Sequence, residues 1–320
     1  MHAGGAGKTV LLAGATGTIG SATARALVAE GIHTIALMRP GHGQGAPEGC
    51  VPFEADVTDP ATLQALPPID TVISCLASRT GAPADAWRID HQAQSALLSA
   101  ARAAGAKGFV LLSALCVQKP MLAFQHAKLA FEADLAASGL TYAIVRPTAF
   151  FKSLSGQLER LRAGKPFLLF GDGALTACKP ISDADLAAYL VRCTHDPSLQ
   201  NRILPIGGPG PALTPRQQGE ALFAALDLAP KFRQVPVGLM TAIVGGLSFA
   251  GLVSAKARDK AEFARIGRYY ATESMLVWDP VAARYDADAT PETGSDTLPE
   301  FFRRLASGDA TVDLGEHAVF

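Results

Sequence analysis

Residues 10–20 read VLLAGATGTIG, and this stretch limits the fold more than any other in the chain. A short apolar run, a glycine turn and a helix-forming segment follow one another without interruption. Glycines at 14, 17 and 20 permit a tight strand-to-helix turn and let backbone N–H groups approach a pyrophosphate at the helix N-terminus. The spacing is G-x-x-G-x-x-G, so the motif takes its meaning from its place between a first strand and a first helix. Gly14, Thr16, Gly17, Thr18, Ile19 and Gly20 are therefore expected to hold a dinucleotide. The upstream GGAGKT resembles the end of a P-loop, but His2 stands where that pattern needs glycine. Lys8 and Thr9 also precede the strand, whereas a P-loop follows one, so a nucleotide triphosphatase is excluded.

After the turn, strand and helix signals alternate. Further apolar strands are expected at 34–38, 70–77, 108–115 and 141–147, with helices at 19–30, 86–104 and 124–138. A Gly/Pro loop follows the second strand. This alternation predicts an α/β chain with a Rossmann-type, doubly wound parallel sheet, its dinucleotide domain spanning residues 1–150. The second strand ends at Arg39 rather than at the acid that usually holds the ribose hydroxyls of NAD, and an arginine pairs with a 2′-phosphate; NADPH is the expected cofactor. Asp56 and Val57 are placed to flank the adenine. Cys75, Leu76 and Ala77, in CLAS, line the exit of the third predicted strand.

Composition narrows the partners. A formal net charge of −1 over 320 residues argues against a broad electrostatic grip on nucleic acid. The five cysteines show no metal-ligand spacing, so no metal site is expected and a reducing cytoplasm fits. No targeting peptide is evident before the first strand, which suggests a bacterial cytoplasmic protein. The apolar run 238–253 is shorter than the roughly 20 residues of a membrane span. With Lys256, Arg258, Lys260, Arg265 and Arg268 after it, the segment 238–268 reads as a peripheral contact with a photosynthetic membrane, a substrate lid or a buried helix.

The glycine turn, Arg39 and the FQHAK stretch, Phe124 to Lys128, make the N-terminal half resemble the atypical short-chain dehydrogenases, in their NmrA-like and isoflavone-reductase-like branch. Longer segments, among them FVLLSALCVQKP (109–120), IVRPTAFFKSLSGQ (144–157) and FGDGALTACKPISDADLAAYL (170–190), are similar to the divinyl chlorophyllide 8-vinyl reductases. The resemblance runs from about residue 72 to 275. It implies reduction by NADPH of a vinyl group to ethyl on a magnesium tetrapyrrole, divinyl chlorophyllide or protochlorophyllide. It also implies a smaller C-terminal substrate-binding lobe over residues 151–320.

The resemblance carries roles with it. Lys128 is the expected catalytic residue, bonding the nicotinamide ribose and placing positive charge near the reacting centre, with Ser113 beside it. Pro147, Thr148 and Phe150 would border the nicotinamide. Phe124, Phe151 and Lys152 would meet the substrate: Phe124 against an aromatic ring, Phe151 as an apolar wall, Lys152 on a carboxylate. His126 could relay a proton. In ketone reduction a tyrosine protonates the developing alkoxide, and here that position is Phe124. Reduction of a conjugated vinyl group spreads charge into the ring and makes no alkoxide, so the tyrosine is dispensable. Two alternatives stay open: another double-bond or quinone reductase of the same branch, and a non-catalytic NADP sensor resembling NmrA, which retention of Lys128 disfavours. In the C-terminal half, Ser182 with Asp185 reads as a capping-box-like start to a helix, and Thr214-Pro215 as another N-cap.

Overall fold

A computed structural model describes residues 8–311. The chain before Lys8, with most of GGAGKT, and the end of the predicted lobe beyond Thr311 lie outside the described residues. The first half runs β1 (Thr9–Ala13), α1 (Thr18–Ala29), β2 (His33–Met38), β3 (Val51–Glu54) and β4 (Thr71–Ser74). A short helix α2 (Pro83–Ala86) passes through a π-helical turn (Trp87–Ala93) into α3 (Gln94–Ala103), followed by β5 (Gly108–Leu112), α4 (Ala123–Ala136) and β6 (Thr141–Pro147).

The second half begins with α5 (Phe151–Leu154), α6 (Leu158–Arg162), β7 (Phe167–Phe170), α7 (Asp183–Arg192) and β8 (Arg202–Ile206). It continues through α8 (Pro215–Ala225), β9 (Phe232–Val235), α9 (Val237–Ala250) and α10 (Ala255–Thr272). The chain ends in the hairpin β10 (Val277–Asp279) and β11 (Arg284–Asp286), then α11 (Leu298–Ser307).

Seven strands form one sheet in the order β3-β2-β1-β4-β5-β6-β8, every neighbouring pair parallel. Strand side chains alternate between faces, and helices cover both, so β1 is apolar from Val10 to Ala13. Val10 and Leu12 join the core under α1 and α7, with Leu186 and Leu190. Leu11 and Ala13 join the core under α3 and α4, with Leu97 and Phe131. The doubly wound parallel sheet expected from the sequence is present.

The sheet draws on both sides of residue 150. β8 extends it beyond β6, and α7 packs against α1. The lobe itself has a separate core around Phe167, Leu222 and Phe302, with β7 and β9 paired parallel. β3 falls in the segment expected to be loop. It is largely exposed and carries Pro52, which an edge strand tolerates because one side needs no donor. Its sequence therefore lacks the apolar alternation of a buried strand.

Both predicted helix starts in the lobe form. Ser182 Oγ accepts from Asp185 N at 3.0 Å, and Thr214 accepts from Gln217 N, with Pro215 in the first turn. The reciprocal half of the first box is absent, since the Asp185 carboxylate instead accepts from Ser295 N and Asp296 N.

Candidate active site

The site is built along the C-terminal ends of the parallel strands, where β1 hands over to α1. Gly14 has φ +77°, a left-handed conformation that favours glycine, and a Cβ there would lie 2.8 Å from the carbonyl oxygen of Cys75. At Gly20 a Cβ would fall 2.0 Å from the carbonyl oxygen of Gly14. Gly17 caps α1 without a side chain, and the first turn, with Thr18 and Ile19, holds no acid. Its N–H groups are thus left for an anion, with Thr16 and Gly17 exposed beside them. These residues fit a dinucleotide pyrophosphate. Ile19 contributes backbone only, because its side chain is in the core.

Arg39 directly follows β2, exposed to solvent, and has no ion-pair partner among the described residues. The loop after it is closed by Glu54, whose carboxylate accepts from Gly41 N at 2.7 Å and Gly43 N at 2.9 Å. Asp56 is half-buried. Its carboxylate accepts from the amide (2.9 Å) and hydroxyl (2.7 Å) of Thr58, and these hydrogen bonds hold it below the usual carboxylate range. Its side chain is thus committed to its own turn. Val57 and Leu76 pack on the core, and Ala77 is exposed. Burial pushes the Cys75 thiol up to about 12, and it is the Cys75 backbone carbonyl that closes on Gly14.

Lys128 is buried on α4 with its Nζ 2.9 Å from Asp90 Oδ1; the side chains are 10% and 0% exposed. Asp90 Oδ2 accepts from Ser78 Oγ at 2.6 Å, tying the pair to the end of CLAS. Asp90 was not expected from the sequence. It stands in the π-helical turn, a feature frequently found at functional sites, and neither composition nor a 3.6-residue period reveals such a turn. One helical turn along α4, Glu132 forms a buried ion pair with Arg146 and accepts from Ser113 Oγ. That corrects the expectation for Ser113, whose hydroxyl is consumed inside the fold.

Three further expectations change. Phe151 is 2% exposed and stacks at 5.3 Å on Phe301 in the lobe core, so it is no substrate wall. Lys152 donates to Thr18 Oγ1 at 2.9 Å, which puts it at the glycine turn rather than on a substrate carboxylate. The Thr148 hydroxyl donates to the carbonyl of Lys179 and is buried. Pro147 is buried at the end of β6, and Phe150 is half-buried against the sheet core. Phe124 is half-buried and packs with Tyr269 and Ile266 of α10; His126 is exposed.

Comparison with known proteins now bears on this geometry. Residues 14–197 match the NAD(P)H-binding family. The chain is 48% identical to the divinyl chlorophyllide a 8-vinyl-reductase of Cucumis sativus, covering 97% of this chain and 79% of that one. To the enzyme of the same name from Oryza sativa subsp. indica it is 49% identical, covering 98% and 82%. The chain belongs to the divinyl chlorophyllide a 8-vinyl-reductase family. The likeness to solved structures is one of fold: an NADPH-dependent quinone oxidoreductase of Escherichia coli, complexed with NADPH, superposes with a TM-score of 0.67 at 20% identity over 93% of this chain and 99% of that one. An isoflavone reductase superposes at 0.64, with 20% identity over 93% and 99%.

In this member of the 8-vinyl-reductase family, α10 grips the start of α4. Glu262 Oε1 accepts from Ala123 N at 3.0 Å, while its other oxygen accepts from Arg265 at 2.9 Å. α9 packs on α10 with only Val244 buried, which overturns the buried-helix reading of 238–253. Among the described residues no helix is long and apolar enough to cross a membrane.

Proposed function

We propose that this protein reduces the 8-vinyl group of a divinyl chlorophyllide to ethyl with NADPH. The observation that carries the reading is the buried pair of Asp90 with Lys128, which lies on the helix that bears Phe124, in a chain of the 8-vinyl-reductase family. When bound, the reduced nicotinamide supplies the hydride. The protein's own residues do the rest. Gly14, Gly17 and the first turn of α1 hold the pyrophosphate, with Lys152 and Thr18 at its edge. Arg39 takes the 2′-phosphate, which selects NADPH over NADH.

Asp90 fixes the ammonium of Lys128 where negative charge spreads through the substrate ring. A preorganised charge in a buried site costs no reorganisation when that charge develops. Phe124 offers no acid at the position where ketone reduction would need one. Incubation of the purified protein with NADPH and divinyl chlorophyllide should shift the Soret band to that of the monovinyl pigment. NADPH binding without this shift, or turnover of a quinone alone, would overturn the reading.

The protein also docks peripherally on anionic membrane surfaces through the α9–α10 hairpin. Phe249, Leu252 and Val253 at its tip are 78%, 75% and 92% exposed, and Lys256, Arg258 and Lys260 follow. Co-flotation with vesicles containing anionic lipid is expected. Equal recovery with neutral vesicles, or none with either, counts against it.

A further inference from the structure

A cavity of about 210 Å³ opens between the start of α4 and the α9–α10 hairpin. Met121, Leu122, Val237 and the ring of Tyr269 supply apolar walls; Arg265 and Arg268 supply the charge. The two arginines are not equivalent. Arg265 is committed to Glu262 at 2.9 Å and to Ser248 Oγ at 2.8 Å. Arg268 is half-buried, and its guanidinium has no hydrogen bond, ion pair or ring partner among the described residues.

The acids of α10 and its C-terminal end that could have neutralised it are already engaged. Glu262 is divided between Ala123 N and Arg265, and Glu273 between Lys119 at 2.6 Å and Tyr285. The Tyr269 hydroxyl is likewise spent, donating to the carbonyl of Cys116 at 2.9 Å. What remains is one planar cation, with paired donors, at an apolar opening. That chemistry suits a carboxylate attached to a greasy body, because a guanidinium binds carboxylate through two parallel hydrogen bonds.

We infer that this cavity seats the carboxylate arm of an apolar, planar acid, with Arg268 as its ion-pair partner. The inference rests on the proposed function in one respect: the acid is the pigment, and a chlorophyllide carries a free carboxylate on its rim. Position supports it. Leu122 immediately precedes α4, and Lys128 lies six residues further, about 9 Å along the helix at ~1.5 Å per residue. Tyr269 and Phe124 pack on the same cluster, so the cavity and the catalytic helix share a wall. A ring anchored at Arg268 therefore spans toward Lys128, and the anchor fixes which edge of the ring arrives there.

The test compares divinyl chlorophyllide with its methyl ester, which keeps the ring and removes the charge. Binding is read by quenching of pigment fluorescence. The wild-type protein should bind the acid at least about tenfold more tightly than the ester, as expected for a charge-assisted hydrogen-bonded pair. Arg268→Ala should bring the acid down to the affinity of the ester, leaving ester affinity, NADPH affinity and melting temperature unchanged; Arg268→Lys should retain part of the preference. Equal wild-type binding of acid and ester, or a preference that survives in Arg268→Ala, overturns this inference while the proposed function stands. A wild-type protein that binds neither pigment overturns both.

Discussion

At position 124 a half-buried phenyl ring of α4 packs on the cluster that holds Tyr269 of α10. Phe124→Tyr is therefore expected to leave pigment turnover unchanged or lower it; a large gain in kcat would show that an acid at this position was needed after all. Lys128 and Asp90 make the sharper case. Removing one partner of a buried ion pair costs about 3–5 kcal/mol, because the other charge is left unpaired. Asp90→Ala should lose roughly that much in urea unfolding. Adding Lys128→Met to it should recover most of the loss, and additive losses in the double variant would mean the pair is not the coupling unit. For Arg39→Ala the ratio of NADH to NADPH dissociation constants should fall about tenfold or more, as for a charged hydrogen bond; an unchanged ratio would remove Arg39 from cofactor selection. The glycines, Arg39 and Lys128 stand out as candidates in the sequence because each is a local exception in its own stretch. Asp90 does not, since nothing in RIDHQ says that this helix widens or that its carboxylate meets α4.

Among the elements, α4 takes part of its N-terminal cap from its own Gln125 and part from outside itself. Gln125 Oε1 accepts from Leu122 N at 2.9 Å, and Glu262 of α10 takes the next free N–H, that of Ala123. Glu262→Ala leaves that donor unpartnered and Arg265 with Ser248 Oγ alone, so a loss of about 1–2 kcal/mol is expected by thermal or chemical unfolding. No measurable loss would reduce the contact to incidental proximity. Helices and strands of the sheet interior could be read from apolar periodicity because both faces of the sheet are covered. β3 could not be, and neither could the capping partner of α4, which lies 139 residues away in sequence. The buried-helix reading of 238–253 fell only once the structure placed most of its apolar residues outward.

For the molecule as a whole, the sheet closes only when the chain returns from the lobe. β8 completes the edge beside β6, and α7 covers the face shared with α1, burying Leu186 and Leu190. A fragment ending at residue 150 would leave that face open to water. It is expected to show no cooperative thermal transition by circular dichroism; a sharp transition would establish an autonomous dinucleotide domain. Alternation of strand and helix signalled the doubly wound sheet but was silent on its last strand. RILPI is only five residues long, with its first two exposed, and it follows an interruption of more than fifty residues.

The π-helical turn at Trp87–Ala93 has a geometric consequence for the Lys128–Asp90 pair. Each residue of an α-helix advances the side chains by about 100°. Deleting a single residue from this widened turn would let α2 and α3 fuse into one regular helix, and would swing the carboxylate at 90 around the axis, away from the ammonium it now meets. Among the described residues, the carboxylate that Lys128 meets is thus held in place by a one-residue miscount in a helix, so that a change too small to alter the fold would be enough to break the pair.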